Sequence, residues 1–329
     1  MKYLQWKVIG EEKEFQKNYI IKLRYMPNNP GSLYQRLFKF IEVEKPTDPL
    51  LFYRTGLALI CIGKFAVLYH NFLIFYGQYG LIQWSISKVN TYPYAPHIGD
   101  YSIFLGRCFN LSLDDAAMLV MKIFFCSSLC LFFGLFTRLS TFLCFMLHLA
   151  FINTGSGIIY GVEVFTQLAL FYALFFPLNT TYSADMVLGL SKYKKESVGA
   201  GIAIRLVQFQ MCLVYLSSGI EKCLGIQWLN GEAIWRTMMM PIFKHYDFSW
   251  MADYPFIPLV IGLSVLIVEI GYVVFMWMKN VRVWWLGMII ALHLGIGLFM
   301  GMWFFALVMV FLSVFAFGDD VIKDTGLNT

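Results

Sequence analysis

Glu221 and Lys222 stand side by side in "LVYLSSGIEKCLGIQWLNGEAIW", residues 213–235, where a long apolar run gives out. At the rim of an apolar pocket a lysine loses hydration, which disfavours the ammonium and makes a neutral, proton-accepting amine accessible near neutrality. Gln208, Tyr215 and Lys222 are spaced by seven and share one helical stripe, with Ser218 one turn before the lysine. That stripe is polar from the middle of the helix to its end. The plainer reading makes Lys222 an interfacial anchor paired with Glu221 or Glu232, with Trp228 and Trp235 in an aromatic belt. Spacing leaves both readings open.

Further polar groups lie within apolar stretches: Arg54, Lys64, Lys122, His148, Glu163, Gln167, Arg205, Gln210, Glu269 and His293. Each is costly at that depth unless paired or facing a cavity. Arg54, Lys122 and Arg205 fall near expected helix ends, where snorkelling to the interface accounts for them. Glu163, Glu269 and His293 are deeper, and either hold helices together or form a site.

The elements that must position them are membrane helices. Of 329 residues, 59% are hydrophobic and 14% charged, against roughly a quarter charged in soluble domains. Counting apolar runs of about 17 to 25 residues gives eight spans, near 50–77, 116–137, 139–154, 158–178, 202–220, 256–278, 283–300 and 302–318. The third and eighth are short, which leaves seven or nine open. A barrel would need shorter alternating segments. The fold class is therefore all-α, a polytopic helical membrane bundle. No cleavable leader is expected, since the first forty or so residues are polar, and the first hydrophobic segment then acts as the insertion signal.

Three regions follow: residues 1–49 as a cytoplasmic segment, 50–318 as the transmembrane domain, and 319–329 as a cytoplasmic tail. Orientation comes from Lys2, Lys7, Lys13, Lys17, Lys22, Arg24, Arg36, Lys39 and Lys45, all before the first span. With that end inside, Arg138, Lys192, Lys194, Lys195, Lys279 and Arg282 also fall inside, and loops 78–115 and 221–255 face outward. The net charge of +5 is thus a topology signal, with the lipid bilayer as partner and no call for nucleic acid. "MPNNPGS" is a turn, and "SLYQRLFKFIEV" at 32–43 reads as an amphipathic interfacial helix or as one helical piece of a plain tail.

Cys61, Cys126, Cys130, Cys144 and Cys212 read as small buried side chains. Cys126 and Cys130 share a helical face without a His or acid beside them, so no metal site is expected. Cys108 and Cys223 fall on the outer side as a candidate pair.

Several segments in order, "KPTDPLLFYR" at 45–54, "FGLFTRLS" at 133–140, "IIYGVEVF" at 158–165, "YSADMVLGL" at 182–190, residues 213–235 and "ALHLGIGLFMGMWFF" at 291–305, resemble the horizontally transferred transmembrane (HTTM) family. That family includes the membrane region of vitamin K-dependent gamma-carboxylase. The resemblance runs from about residue 44 to 318. It implies Lys222 as a catalytic base acting on a reduced quinone, and it matches His293 to a histidine position of the family. Where the carboxylase has an Asn-His pair, this chain reads "NTGSGIIYG", and the large lumenal domain that grips a protein substrate is not expected. In length and layout the chain is similar to the sporulation-delaying protein B type of toxin-maturation membrane proteins, which act with a small partner on a secreted precursor.

The expectation is an outward pocket gathering Lys222, Glu221 and His293 as catalytic candidates, with Glu163, Gln208, Tyr215 and Glu269 as polar lining. Its role would be maturation or modification of an exported peptide or protein at the outer face of a bacterial plasma membrane. The alternatives are a quinol-dependent carboxylase-like enzyme and a non-catalytic peptide- or lipid-binding or immunity protein. Whether there is catalysis at all, and which cofactor it would use, is open at this level.

Overall fold

The structure, a computed structural model, describes residues 33–92, 94–158, 160–243 and 246–326. The turn expected at "MPNNPGS" and the basic residues from Lys2 to Arg24 lie outside them. The chain divides into two units, Met1–Val43 and Glu44–Thr329. In the first, Leu33–Ile41 is helical with Arg36 and Lys39 exposed. In the second, Lys45–Pro46 pairs with Glu196–Ser197.

Among the described residues, eight helices have 15 residues or more: α1 Asp48–Leu68, α2 Leu113–Phe133, α3 Thr137–Thr154, α4 Gly161–Phe175, α5 Val198–Leu224, α6 Phe256–Phe275, α7 Lys279–Met300 and α8 Trp303–Thr325. Six stretches are long and apolar enough to cross a membrane: Asp48–Tyr76, which extends α1, and helices α2, α5, α6, α7 and α8. Helix α4, with 15 residues, is apolar but shorter. Helix α8 is not the short segment expected. It runs 23 residues to Thr325, so most of the presumed tail is helix.

Local chemistry sets the boundaries. Pro49 opens α1, where its missing N–H costs nothing. The Ser112 and Ser197 hydroxyls accept from the amides of Asp115 and Ala200 and cap α2 and α5. Gly134 ends α2 at φ 68°, and an added Cβ would sit 2.6 Å from the Arg54 guanidinium, so only glycine fits both the backbone and the space.

Helix α8 is central, packing on α1, α4, α5 and α7. Its Phe311 and Phe315 meet Tyr53 and Phe176 in an aromatic cluster, and the Tyr53 hydroxyl donates to the Ala169 carbonyl at 2.8 Å. The short antiparallel ladder of β1 (Lys45–Pro46) and β2 (Glu196–Ser197) was not foreseen from periodicity.

At that end, charged groups tie the helices together. Lys45 pairs with Asp320 at 3.0 Å, Arg282 with Asp324 at 2.6 Å, and the Gln208 amide donates to the Ala316 carbonyl and to Asp320. Burial lowers the Lys45 ammonium from its ordinary range, with Asp320 opposing the shift. Arg54, expected to snorkel, is instead 2% exposed and donates to the Leu178 and Tyr182 carbonyls and to Thr181. Lys122 is exposed and lies midway along α2, not near its end as expected. Asp185, in the short helix Ala184–Val187, accepts from the Phe136 and Thr137 amides and the Thr137 hydroxyl at 2.6 to 2.9 Å, which caps α3 from a segment remote in sequence.

At the opposite end, His97 begins helix Ile98–Phe109. Its Nδ1 accepts from the Gly99 amide at 3.0 Å, so its Nε2 carries the proton and donates to Ser87 at 2.8 Å. The candidate partners Cys108 and Cys223 are both free thiols.

Asp185→Ala removes three hydrogen bonds and should lower stability by about 2 to 3 kcal/mol, read from unfolding in detergent micelles. Burial lowers His97 to about 4, partly opposed by Asp100. The unfolded state, with an ordinary histidine near 6.5, therefore binds the proton more readily. Stability held above about pH 6.5 should be lost as pH falls toward about 4. His97→Gln should flatten that part of the Tm-versus-pH profile.

Candidate functional site

The polar residues singled out in the sequence fall into three separate groups. Gln208 belongs to the charged end, bonded to Asp320 and accepting from Arg205 at 2.8 Å. It is buried among structural ties and does not line a site with Lys222. The seven-residue spacing did place Gln208, Tyr215 and Lys222 on one face, but helix length keeps their partners apart.

The second group holds Lys222. Its Nζ turns inward onto both oxygens of Glu269 on α6, with Oε2 at 2.6 Å, and donates to Ser218 at 2.9 Å. The lysine side chain is 20% exposed and the glutamate 7%. Neither anchor partner expected from sequence is used: Glu221 is exposed, and Glu232 pairs with Arg236. Gly219 explains the close approach, since an added Cβ would lie 2.6 Å from Ile270.

Beyond Lys222 the chain folds back in two short helices, Ile226–Leu229 and Glu232–Met239, that pack along α6. Trp228 lies 5.1 Å over the ammonium, a cation–π contact. Lys222, in the last turn of α5, is thus roofed by Trp228 and paired sideways to α6.

About two turns away on α5, the Tyr215 hydroxyl bonds His293 Nε2 at 2.8 Å and Ser313 at 3.4 Å. Tyr272 packs 4.3 Å from the Tyr215 ring. His293 Nδ1 is buried without a hydrogen-bond partner among the described residues. His293 therefore joins Tyr215, as the pocket reading requires, but does not touch Lys222.

The third group was not assembled from the sequence. Lys64 on α1 pairs with Glu163 Oε2 in the first turn of α4 at 2.5 Å, and His148 Nε2 lies 3.3 Å from the same oxygen. Gln167 accepts from His148 Nδ1 at 2.7 Å. Glu163 thus sits with Lys64, not with Lys222 as expected. No periodicity links residues 64, 148 and 163; only the tertiary fold does. The available signal was that each is ionisable within an apolar run.

Phe305 borders both clusters, with its ring 5.7 Å from His293 and 6.4 Å from Phe165 on the turn that carries Glu163. The ring offers neither a donor nor an acceptor, so the clusters are chemically distinct.

In comparisons with known proteins, no family model, curated protein or solved structure matches the chain.

A paired lysine and carboxylate can hold one proton on either partner. Ammonium–carboxylate becomes amine–carboxylic acid by a shift along a single hydrogen bond. Glu269 also fixes the position of the Lys222 amine against α6. Because Glu269 is buried and Lys222 mostly so, Glu269→Leu should destabilise by about 3 to 5 kcal/mol by leaving an unpaired charge. The Lys222→Met/Glu269→Leu double variant should recover most of that loss in a double-mutant cycle of unfolding free energies.

Proposed function

We propose that the chain is a multi-pass protein of a bacterial plasma membrane, with eight spans and both termini cytoplasmic. In this reading it matures or modifies an exported peptide or protein at the outer face, together with a small partner protein. The observation that carries the reading is the inward Lys222–Glu269 pair under Trp228. Anchoring a helix end does not require an amine held by two carboxylate oxygens and a serine. A group that takes a proton does, because its partner fixes its position and receives the proton it must shed.

Lys222 is the base in this proposal, Glu269 its proton partner, and Trp228 with the short helices its cover. Tyr215 and His293 polarise the adjoining wall. Glu221, exposed beside Lys222, has no assigned chemistry. The sequence resemblance to the HTTM family supports Lys222 as the reactive group and leaves a quinol-dependent reaction as the second reading, favoured by the aromatic cover over the amine.

Deleting the gene and profiling secreted peptides by mass spectrometry tests the role. A defined mass change restored by the wild-type gene is the expected result. Lys222→Ala and Glu269→Gln should lose it when product is normalised to the protein present in the membrane, since each also leaves a charge unpaired. Lys222→Arg should lose it too, since arginine keeps its proton near neutrality. Full activity of Lys222→Arg would reduce the residue to a fixed charge, and an unchanged peptide profile on deletion would favour a binding or immunity role. Topology is checked by labelling from outside a cysteine introduced at Trp228, in a chain whose exposed cysteines are serine. The cysteine should react before the cells are opened.

A further inference from the structure

The Lys64–Glu163–His148 cluster borders a cavity of about 220 Å³ between α1, α3, α4 and the start of α8. Its walls are largely apolar, from Val67, Leu68, Phe151, Ile152 and Phe304, and its polar groups are Lys64 and Glu163 with the hydroxyls of Tyr76 and Tyr160. Lys64 also lies 5.4 Å over the Phe151 ring.

The polar face is incompletely used. An ammonium has three N–H donors, and Lys64 commits one, to Glu163 Oε2. Glu163 Oε2 takes both Lys64 and the His148 contact, while Oε1 has no hydrogen-bond partner among the described residues. His148 is 1% exposed, and its Nε2 faces the carboxylate outside hydrogen-bond geometry. Spare donors and a spare acceptor thus meet at one wall of the cavity.

The chemistry of a ligand follows. Lys64 and Glu163 neutralise each other, so a charged head would leave net charge in an apolar space. The head must accept from the ammonium and donate to the carboxylate, which a hydroxyl does with one oxygen. The volume lies between the roughly 150 Å³ that holds benzene and the roughly 300 Å³ at which drug-sized pockets begin. At the mouth, Val67 is 72% and Tyr160 47% exposed.

We infer that this cavity is a binding site for an uncharged alcohol with a short apolar body, entering from the lipid phase, its hydroxyl held between Lys64 and Glu163. The site is independent of the Lys222 proposal, because it uses other residues on other helices.

The test photolabels the full-length protein in lipid nanodiscs with a diazirine-bearing octanol and, in parallel, a diazirine-bearing octane. Labelled peptides are then mapped by mass spectrometry. Octanol should label the Phe151 and Phe304 peptides about tenfold more than octane, the worth of one hydrogen bond to a charged group. The Lys64→Met/Glu163→Leu double variant, which removes both the donor and the acceptor, should abolish that preference, and Ile152→Trp should block labelling by filling the space. Equal labelling by the two probes, or an octanol preference that survives in the double variant, overturns the inference. The wild-type comparison decides alone if a variant does not fold. Competition by hexanol or by dioleoylglycerol supports it and tells a free alcohol from a lipid hydroxyl; competition by neither overturns it.

Discussion

A charge removed from water is tolerated only with a partner, since an unpaired ion in an apolar interior costs several kcal/mol. That constraint organises this bundle more than the packing of its apolar faces, which many helix arrangements would satisfy. Lys45 with Asp320, Lys64 with Glu163, Lys222 with Glu269 and Arg282 with Asp324 each join helices or segments that are remote in sequence. Arg54 achieves the same with backbone carbonyls. Each tie specifies which helices lie together and at what height.

The ties differ in what surrounds them. Those at the end where α1, α5 and α7 begin are interlocked with capping groups and a strand ladder, and their hydrogen bonds are largely accounted for. Those toward the other end have slack: a spare carboxylate oxygen at Glu163, an unpartnered ring nitrogen on His293, and a partly exposed lysine beneath Trp228. Slack of this kind is disfavoured in a purely structural contact and is what a site that exchanges protons or ligands requires.

Much of the architecture was legible in the sequence. Apolar runs located the helical segments, because lipid-grade hydrophobicity leaves few alternatives to a helix. The ends were less legible: α8 extends to Thr325 because Asp320 and Asp324 find cationic partners, which composition alone reads as a polar tail. Of the site, the stripe through Tyr215 and Lys222 was visible, since helical spacing is a local property. The partner of Lys222 was not, because Glu221 and Glu232 are near in sequence while Glu269 is near only in space. Gln208 illustrates the reverse error, in which sharing a face was taken for sharing a pocket.

Phe305 gives the arrangement a further property. Protons travel along unbroken lines of hydrogen-bonding groups and water, and a benzene ring is neither. With His293 and the Glu163-bearing turn both against it, the ring is a dielectric spacer that keeps the two polar clusters from sharing hydrogen bonds. A smaller side chain there would open a gap between them, so that the identity of one aromatic residue sets how independent the two clusters are.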